Sequence, residues 1–225
     1  MIECYFTDNN CMKKEKRTIT PVGIIVHSTG ANNPNLKRYV QPSTTDEEYE
    51  YLIDVIGKNK NNNSHNRSGS SKSMHYYIGK TSFGGVEIVK TLPHNIACWG
   101  CGKGSNGSYN YHPNGHIQFE VCEDDLKSEE YFNECYKKII ELCCHICEEE
   151  NLSPSTIISH KEAHIKGYAT NHKDIDHWFN KYGKTMNDLR VDVEKQMLKN
   201  NYLEFEGIIT INGKQYEVEG VSREL

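Results

Sequence analysis

The chain has 225 residues, of which 36% are hydrophobic and 25% charged, with a formal net charge of −5. That length suits one globular domain with room for a small appendage, and it can bury a substantial core without covalent staples. The acidic balance makes no electrostatic footprint for nucleic acid, which needs a basic face, and no apolar run approaches a membrane span.

The N-terminus, Met1-Ile2-Glu3-Cys4-Tyr5-Phe6, lacks the basic segment and following apolar stretch of a signal peptide. The expectation is a protein made and held in the cytoplasm, or one that leaves by a route the sequence does not encode. Nine cysteines, an odd number, make a poor disulfide framework and fit a reducing compartment. Two CxxC pairs, Cys98/Cys101 and Cys144/Cys147, admit a four-cysteine zinc site and with it a zinc-bridged interaction protein. Against this stand the wide spacing between the pairs and the helical setting of the second. Free cysteines more often serve as small buried apolar residues.

Residues 21–29 hold a short apolar run bounded by Pro21 and Gly23, the pattern of a buried strand that ends near His27. A helix is expected over 45–57, with Tyr49, Leu52, Ile53 and Ile56 on one face and Asp46 and Glu47 in its first turn. Residues 58–71, rich in Lys, Asn, Ser and Gly, are expected to form a solvated loop. Residues 75–80 and 85–90 predict a hairpin, and 101–115 a long glycine-rich loop. In the strand expected over 116–121, alternation puts His116, Gln118 and Glu120 on one face.

The clearest helix covers about 128–150, capped by Ser128, with Phe132, Cys135, Ile139, Leu142, Cys143 and Ile146 as its apolar stripe. A second covers 186–199, with Thr185 and Asp188 at its start. Strands alternating with helices give an α/β domain. After Tyr202, two alternating runs flank Asn212-Gly213, a strong hairpin signal. A lone hairpin is marginal, so this tail must pack on the domain, pair with another chain or begin a further module.

Eleven histidines are many for this length. His27 and His160 each follow an apolar approach, His172 precedes two aspartates (Asp174 and Asp176), and His116 opens a strand. Two histidines and a carboxylate, with a fourth position open to water, form the ligand set of a catalytic zinc site. Such a site needs a separate carboxylate to take a proton, and Glu120 is a candidate. The run His160-Lys161-Glu162-Ala163-His164 places its glutamate one position late for a helical His-Glu-x-x-His motif, which leaves His164 at the surface or behind the ligands.

Several runs carry a family resemblance. Ile24-Ile25-Val26-His27-Ser28-Thr29-Gly30 resembles the first metal-ligand strand of the N-acetylmuramoyl-L-alanine amidases of the phage-lysozyme and peptidoglycan-recognition-protein type. Ser73-Met74-His75-Tyr76-Tyr77-Ile78 is similar to that family's next central strand, and Cys98-Trp99-Gly100-Cys101-Gly102 to its tryptophan loop. His116 to Glu123 is similar to the strand bearing the family's catalytic glutamate. Ser159 to Phe179, ending Asn-His-x-Asp-x-x-His-Trp-Phe, resembles the version in endolysins and prophage amidases of Gram-positive bacteria. The runs occur in matching order over about residues 1–198.

The resemblance implies a central mixed β-sheet flanked by helices, forming a catalytic domain over 1–200; residues 201–225 lie outside it and are expected to be a C-terminal hairpin tail for wall binding or self-association. It implies zinc (Zn2+) held by His27, His160 and Asp174, Glu120 as general base, and His172 in the place of an oxyanion-stabilising lysine. Aligning Trp178-Phe179 on the family's aromatic pair selects Asp174 over Asp176. Met74 stands where some members have tyrosine, and Gly100 stands where a histidine is usual. The implied reaction is hydrolysis of the amide between N-acetylmuramic acid and L-alanine in bacterial peptidoglycan, by an endolysin held in the cytoplasm until lysis. The competing expectations are a non-catalytic peptidoglycan-recognition module of the same fold and a cytoplasmic amidase that recycles muropeptides.

Overall fold

The structure, a computed structural model, describes residues 1–111, 115–200, 202–211 and 213–223. Its eight strands and five α-helices alternate along the chain as an α/β fold. They are β1 (Ile2–Glu3), β2 (Ile24–Ser28), α1 (Tyr49–Ile56), β3 (Tyr76–Lys80), β4 (Val86–Lys90), β5 (Ile117–Val121), α2 (Glu129–Glu149), β6 (Ile157–Ser159), α3 (His160–Ile165), α4 (Asp176–Lys181), α5 (Met186–Asn200), β7 (Tyr202–Ile211) and β8 (Lys214–Arg223). The first six strands form one mixed sheet in the order β1-β4-β3-β5-β2-β6. Only the β3–β4 hairpin is antiparallel; β3, β5, β2 and β6 run parallel.

Successive residues on a strand face opposite sides, and the two faces have different cover. Ile24, Val26, Tyr76, Ile78, Ile117, Phe119 and Val121 pack with the apolar stripe of α2 and with Trp178, Phe179, Leu189 and Val193. On the other side, Tyr77 and Val89 pack with Leu36, Leu52 and Ile56, while Ile25 packs with Cys101, Ile158, Ala163 and Ala169. The chemistry-bearing side chains of β2 and β5, at positions 27, 118 and 120, lie on this second side.

Local signals explain the principal helices. Ser128 Oγ accepts the Tyr131 N–H at 3.1 Å, and Glu129 and Glu130 sit in the first turn of α2, where the helix dipole favours them. The acidic far end of α2 is disfavoured by the same dipole and is offset by polar neighbours, with Lys90 Nζ 3.9 Å from Glu149. His94 Nδ1 lies 2.6 Å from Glu150, and His145 Nε2 lies 3.2 Å from Glu149. At α5, Asp188 N–H donates to Thr185 Oγ1 at 3.2 Å while Thr185 N–H donates to the Asp188 carboxylate at 2.8 Å.

Helix α1 starts at Tyr49, later than residue 45. Asp46 spends its carboxylate on the Glu48 N–H at 3.0 Å, a turn that competes with the first helical turn. The 58–71 segment is not solvated throughout: Ser64, His65 and Asn66 are buried. His65 Nδ1 lies 2.6 Å from the Tyr77 hydroxyl, and Asn66 Nδ2 donates to the Gln41 carbonyl at 2.9 Å. All nine cysteines are free and buried, and burial raises their thiol pKa values. The two CxxC pairs pack in separate parts of the core, and among the described residues no cysteine joins a metal-binding cluster. No helix among the described residues is long and apolar enough to cross a membrane.

In the tail, β7 and β8 pair antiparallel from Tyr202↔Arg223 to Ile211↔Lys214, a two-stranded sheet separate from the main one. Asn212, half of the hairpin signal, lies outside the described residues; Gly213 takes φ +77°, which suits glycine.

Candidate metal centre

His27 is the fourth residue of β2, and its Cα is paired with that of Glu120 on β5. The strand carries it out of the apolar core towards the carboxyl end of the parallel sheet. His160 arrives differently, as the first residue of α3 immediately after β6. A complete capping box fixes this junction: Glu162 N–H donates to Ser159 Oγ and Ser159 N–H to the Glu162 carboxylate, both at 3.1 Å. Arg190 grips the same carboxylate through both terminal nitrogens, at 3.0 and 3.1 Å. Glu162 therefore has a structural task, and its late position in His-Lys-Glu-Ala-His is explained. His164 Nδ1 turns to the Ala169 carbonyl at 3.1 Å, away from the centre.

Asp174 comes from the segment before α4. His27 Nδ1 lies 3.0 Å from His160 Nδ1 and 3.1 Å from Asp174 Oδ2, and His160 Nδ1 lies 3.4 Å from the same oxygen. Tetrahedral coordination at about 2.0–2.1 Å requires ligand–ligand edges of about 3.3 Å. The edges of the three atoms match one face of such a tetrahedron, so His27, His160 and Asp174 would fit a zinc ion. The donor chemistry, two imidazole nitrogens and a carboxylate oxygen, also fits zinc. Burial pushes the Asp174 carboxyl up, but the hydrogen bonds and charge of His160 and His27 more than reverse this, leaving it well below the usual carboxylate range.

Asp176 is not part of this cluster. It opens α4, with Oδ2 buried and unpartnered among the described residues. His172 stands at the rim, its ring stacked on His160 at 4.8 Å and its Nδ1 3.6 Å from Asp174 Oδ1. His116 lies at the opposite end of β5 from Glu120. Its ring is 4.0 Å from that of Tyr109 and covers Gly23, where a Cβ would come within 2.8 Å of Nε2. His116 thus packs the entry of the sheet and does not reach the cluster.

Glu120 is 5% exposed, and its Oε2 has no hydrogen-bond partner among the described residues. Burial raises its carboxyl pKa to about 7; the charge of Lys72 opposes the rise, and Asp174 and Glu123 add to it. A buried carboxylate that titrates near neutrality and keeps a free oxygen is suited to accepting and returning a proton.

Sequence reasoning missed the groups behind the centre. His27 Nε2 lies 3.0 Å from Gln118 Oε1, and His160 Nε2 lies 3.3 Å from Thr170 Oγ1. Glu123 Oε1 accepts the Gly30 N–H at 3.1 Å and lies 3.1 Å from His177 Nε2, tying the end of β2 to the start of α4. The signal that could have found Gln118 is its strand parity with Glu120; the other contacts depend on how loops fold back.

The family signature described as N-acetylmuramoyl-L-alanine amidase matches residues 17–176, a span that includes all three clustered residues and Glu120. No curated protein sequence matches the chain. Among solved structures, the chain is similar to the hydrolase AmiA of Staphylococcus aureus, solved in complex with its ligand. The identity is 16%, the TM-score 0.52, and the match covers 88% of this chain and 83% of that one. It is also similar to the PlyG catalytic domain (15% identity, TM-score 0.55, 88% of this chain and 96% of that one). A mutant endolysin from Bacillus subtilis matches at 18% identity and a TM-score of 0.50, over 85% and 97% of the two chains. These likenesses are of fold, whereas the signature match spans most of the chain: the protein belongs to the N-acetylmuramoyl-L-alanine amidase family.

Proposed function

We propose that this peptidoglycan amidase uses zinc, held by His27, His160 and Asp174, to hydrolyse the amide between N-acetylmuramic acid and L-alanine. The observation that carries this reading is the triangle of donor atoms with edges of 3.0, 3.1 and 3.4 Å. A bound zinc ion would supply a Lewis acid that acidifies water and polarises the amide carbonyl.

The protein groups divide the remaining work. Glu120 accepts the proton of the attacking water and returns it to the leaving amine of L-alanine. Its burial keeps the carboxylate from being spent on bulk water. His172, at the exposed rim, donates an N–H to the developing oxyanion. The loops over 58–71 and 101–111 would supply walls for the glycan.

The catalytic unit is residues 1–200, and residues 201–225 are a separable tail that binds wall or a second copy of the chain. The biological role is that of an endolysin, held in the cytoplasm until lysis, a role supported by likeness to proteins of that type. A binding module of the same fold would have no use for Glu120 in its buried, proton-accepting setting.

The test is digestion of purified cell walls with mass analysis of the released ends. Free L-alanine amino termini and intact glycan strands are expected, with loss of product when metal is chelated. Released reducing sugars, or full activity in protein shown to be metal-free, would overturn the proposal.

A further inference from the structure

A metal-binding imidazole must present a bare nitrogen to the ion, so the proton on its other nitrogen has to be held elsewhere. In a neutral ring either nitrogen can carry that proton. Hydrogen bonds around His27 resolve the choice, starting from donors whose identity is fixed.

The backbone N–H groups of Gly100 and Cys101 both point at Asn110 Oδ1, each at 3.2 Å. Backbone N–H groups can only donate, so this atom is the amide oxygen. The Asn110 NH2 group faces the Gly102 carbonyl at 3.3 Å, an acceptor, which agrees. Gln118 reaches the same Asn110 oxygen at 2.9 Å and must therefore send its own NH2 group there. That turns the Gln118 oxygen towards His27 Nε2 at 3.0 Å. An oxygen accepts, so Nε2 must carry a proton, and in the neutral, metal-binding ring Nδ1 is then the bare nitrogen at the corner of the donor triangle.

We propose that Asn110 and Gln118 are positioning residues that hold His27 as the Nε2–H form and so prepare its Nδ1 for the metal. The proposal rests on the zinc reading above but is judged separately from it. The relay is enclosed. Gln118 is fully buried and Asn110 is 1% exposed. Gly100 lies so close over it that a Cβ would come within 2.5 Å of Gln118 Oε1 and 2.6 Å of Met74 Sδ. Gly100 thus closes the space through which water could replace the glutamine. The backbone of Gln118 is equally fixed: its N–H donates to His75 Nδ1 at 3.0 Å, and its carbonyl accepts the His75 N–H at 2.8 Å.

His160 has a weaker counterpart. Thr170 Oγ1 donates to the Cys101 carbonyl at 3.2 Å and lies 3.3 Å from His160 Nε2. Thr170 is exposed, so water can take the place of its hydroxyl. The two histidines therefore differ in how firmly the protein sets their protons, although both arrangements hang from Cys101.

The experiment measures zinc affinity by chelator competition and imidazole nitrogen shifts by NMR, on the full chain. Gln118→Met, matched in shape but without an acceptor, is expected to weaken zinc binding about 10- to 100-fold. Gln118→Glu keeps the acceptor for His27 Nε2 but loses the NH2 group that Asn110 Oδ1 receives, so it is expected to bind zinc more tightly than Gln118→Met without reaching the wild-type value. Thr170→Val is expected to stay within about threefold, because water substitutes there. In the wild-type protein, with or without zinc, the His27 Nε2 resonance is expected to be that of a protonated nitrogen. Unchanged zinc affinity in Gln118→Met, or an unprotonated His27 Nε2, would overturn the relay. Failure of the wild-type protein to bind zinc would overturn the metal reading instead, and the NMR measurement on metal-free protein would still decide the relay.

Discussion

His27 and Glu120 are Cα partners on adjacent parallel strands, so their side chains leave the sheet on the same face and at the same level. One register thus places a proposed metal ligand beside the proposed base, with no loop geometry involved. A one-residue slip of β5 would turn Glu120 into the α2 side of the core and bring an apolar neighbour to the site.

Glu120→Gln should retain the fold and the metal while turnover falls about 10²- to 10⁴-fold, the usual contribution of a general base. Glutamine fills the same space but cannot accept the proton. Steady-state rates alongside metal content check this. Turnover near the wild-type rate would remove Glu120 from the role.

The same residue sets a pH dependence with a definite sign. Its carboxyl is raised by burial to about 7, so the proton-accepting form is present above that value and is lost as pH falls through it. Activity should therefore drop on the acid side, with the bound cation moving the midpoint below 7. Stability of the metal-free protein runs the other way. A carboxyl with a raised folded-state pKa stabilises fully below its unfolded value of 4.5, and that stability is lost as pH rises towards 7. Thermal melts of metal-free wild type and Glu120→Gln between pH 5 and about 8 should converge at low pH and separate as pH rises.

Asp174→Ala should lose zinc affinity and activity, whereas Asp176→Ala should keep both. Asp174 Oδ2 lies within 3.4 Å of both histidine Nδ1 atoms, and Asp176 opens α4 with its carboxylate outside the cluster. Bound zinc measured in the two purified variants decides the matter. Metal kept in the first and lost in the second would reverse the assignment.

Ser159→Ala should cost about 1 kcal/mol of stability through loss of the cap, and it should also weaken zinc binding. The second effect follows because His160 is the first residue of the helix that the cap holds. Lys161→Ala, one residue further along and exposed, should change neither. Calorimetric melting and chelator competition on both variants provide the comparison.

Removing the chain after Asn200 should leave cleavage of soluble muropeptides intact and lower activity on whole walls. The β7–β8 hairpin contributes no residue to the donor cluster. Loss of soluble-substrate cleavage, with the remaining domain still folded, would show that the tail serves the chemistry.

β2 was legible as an apolar run bounded by Pro21 and Gly23, and the β3–β4 and β7–β8 hairpins, β5, α2 and α5 by their periodicity and turn signals. Helix α4 was not, because six residues beginning Asp176-His177 are too short to show a repeat, and Trp178-Phe179 are equally apt in a loop. The Ser159–Glu162 capping box is present in the sequence as Ser-x-x-Glu, but the six-residue helix it caps is too short to show a repeat that would mark it. Ser64-His65-Asn66 carry the polar composition of a loop and are nevertheless buried, because Tyr77 and Gln41 supply partners distant in sequence. Gln118 could be placed on the correct face by alternation. Its orientation could not, because that depends on Asn110 and the backbone of the tryptophan loop folding over it.

The donor triangle joins His27 to Asp174 across 147 positions of chain. During synthesis the last corner leaves the ribosome after β2, β5, β6 and α3 have all been made. A nascent chain can offer an incoming ion at most two of the three corners until Asp174 emerges. A cation bound at the triangle would therefore be captured late, and its capture would close a loop of 147 positions. Zinc held there would act as a clasp fastened at the end of folding, and a chain without it would lack that closure.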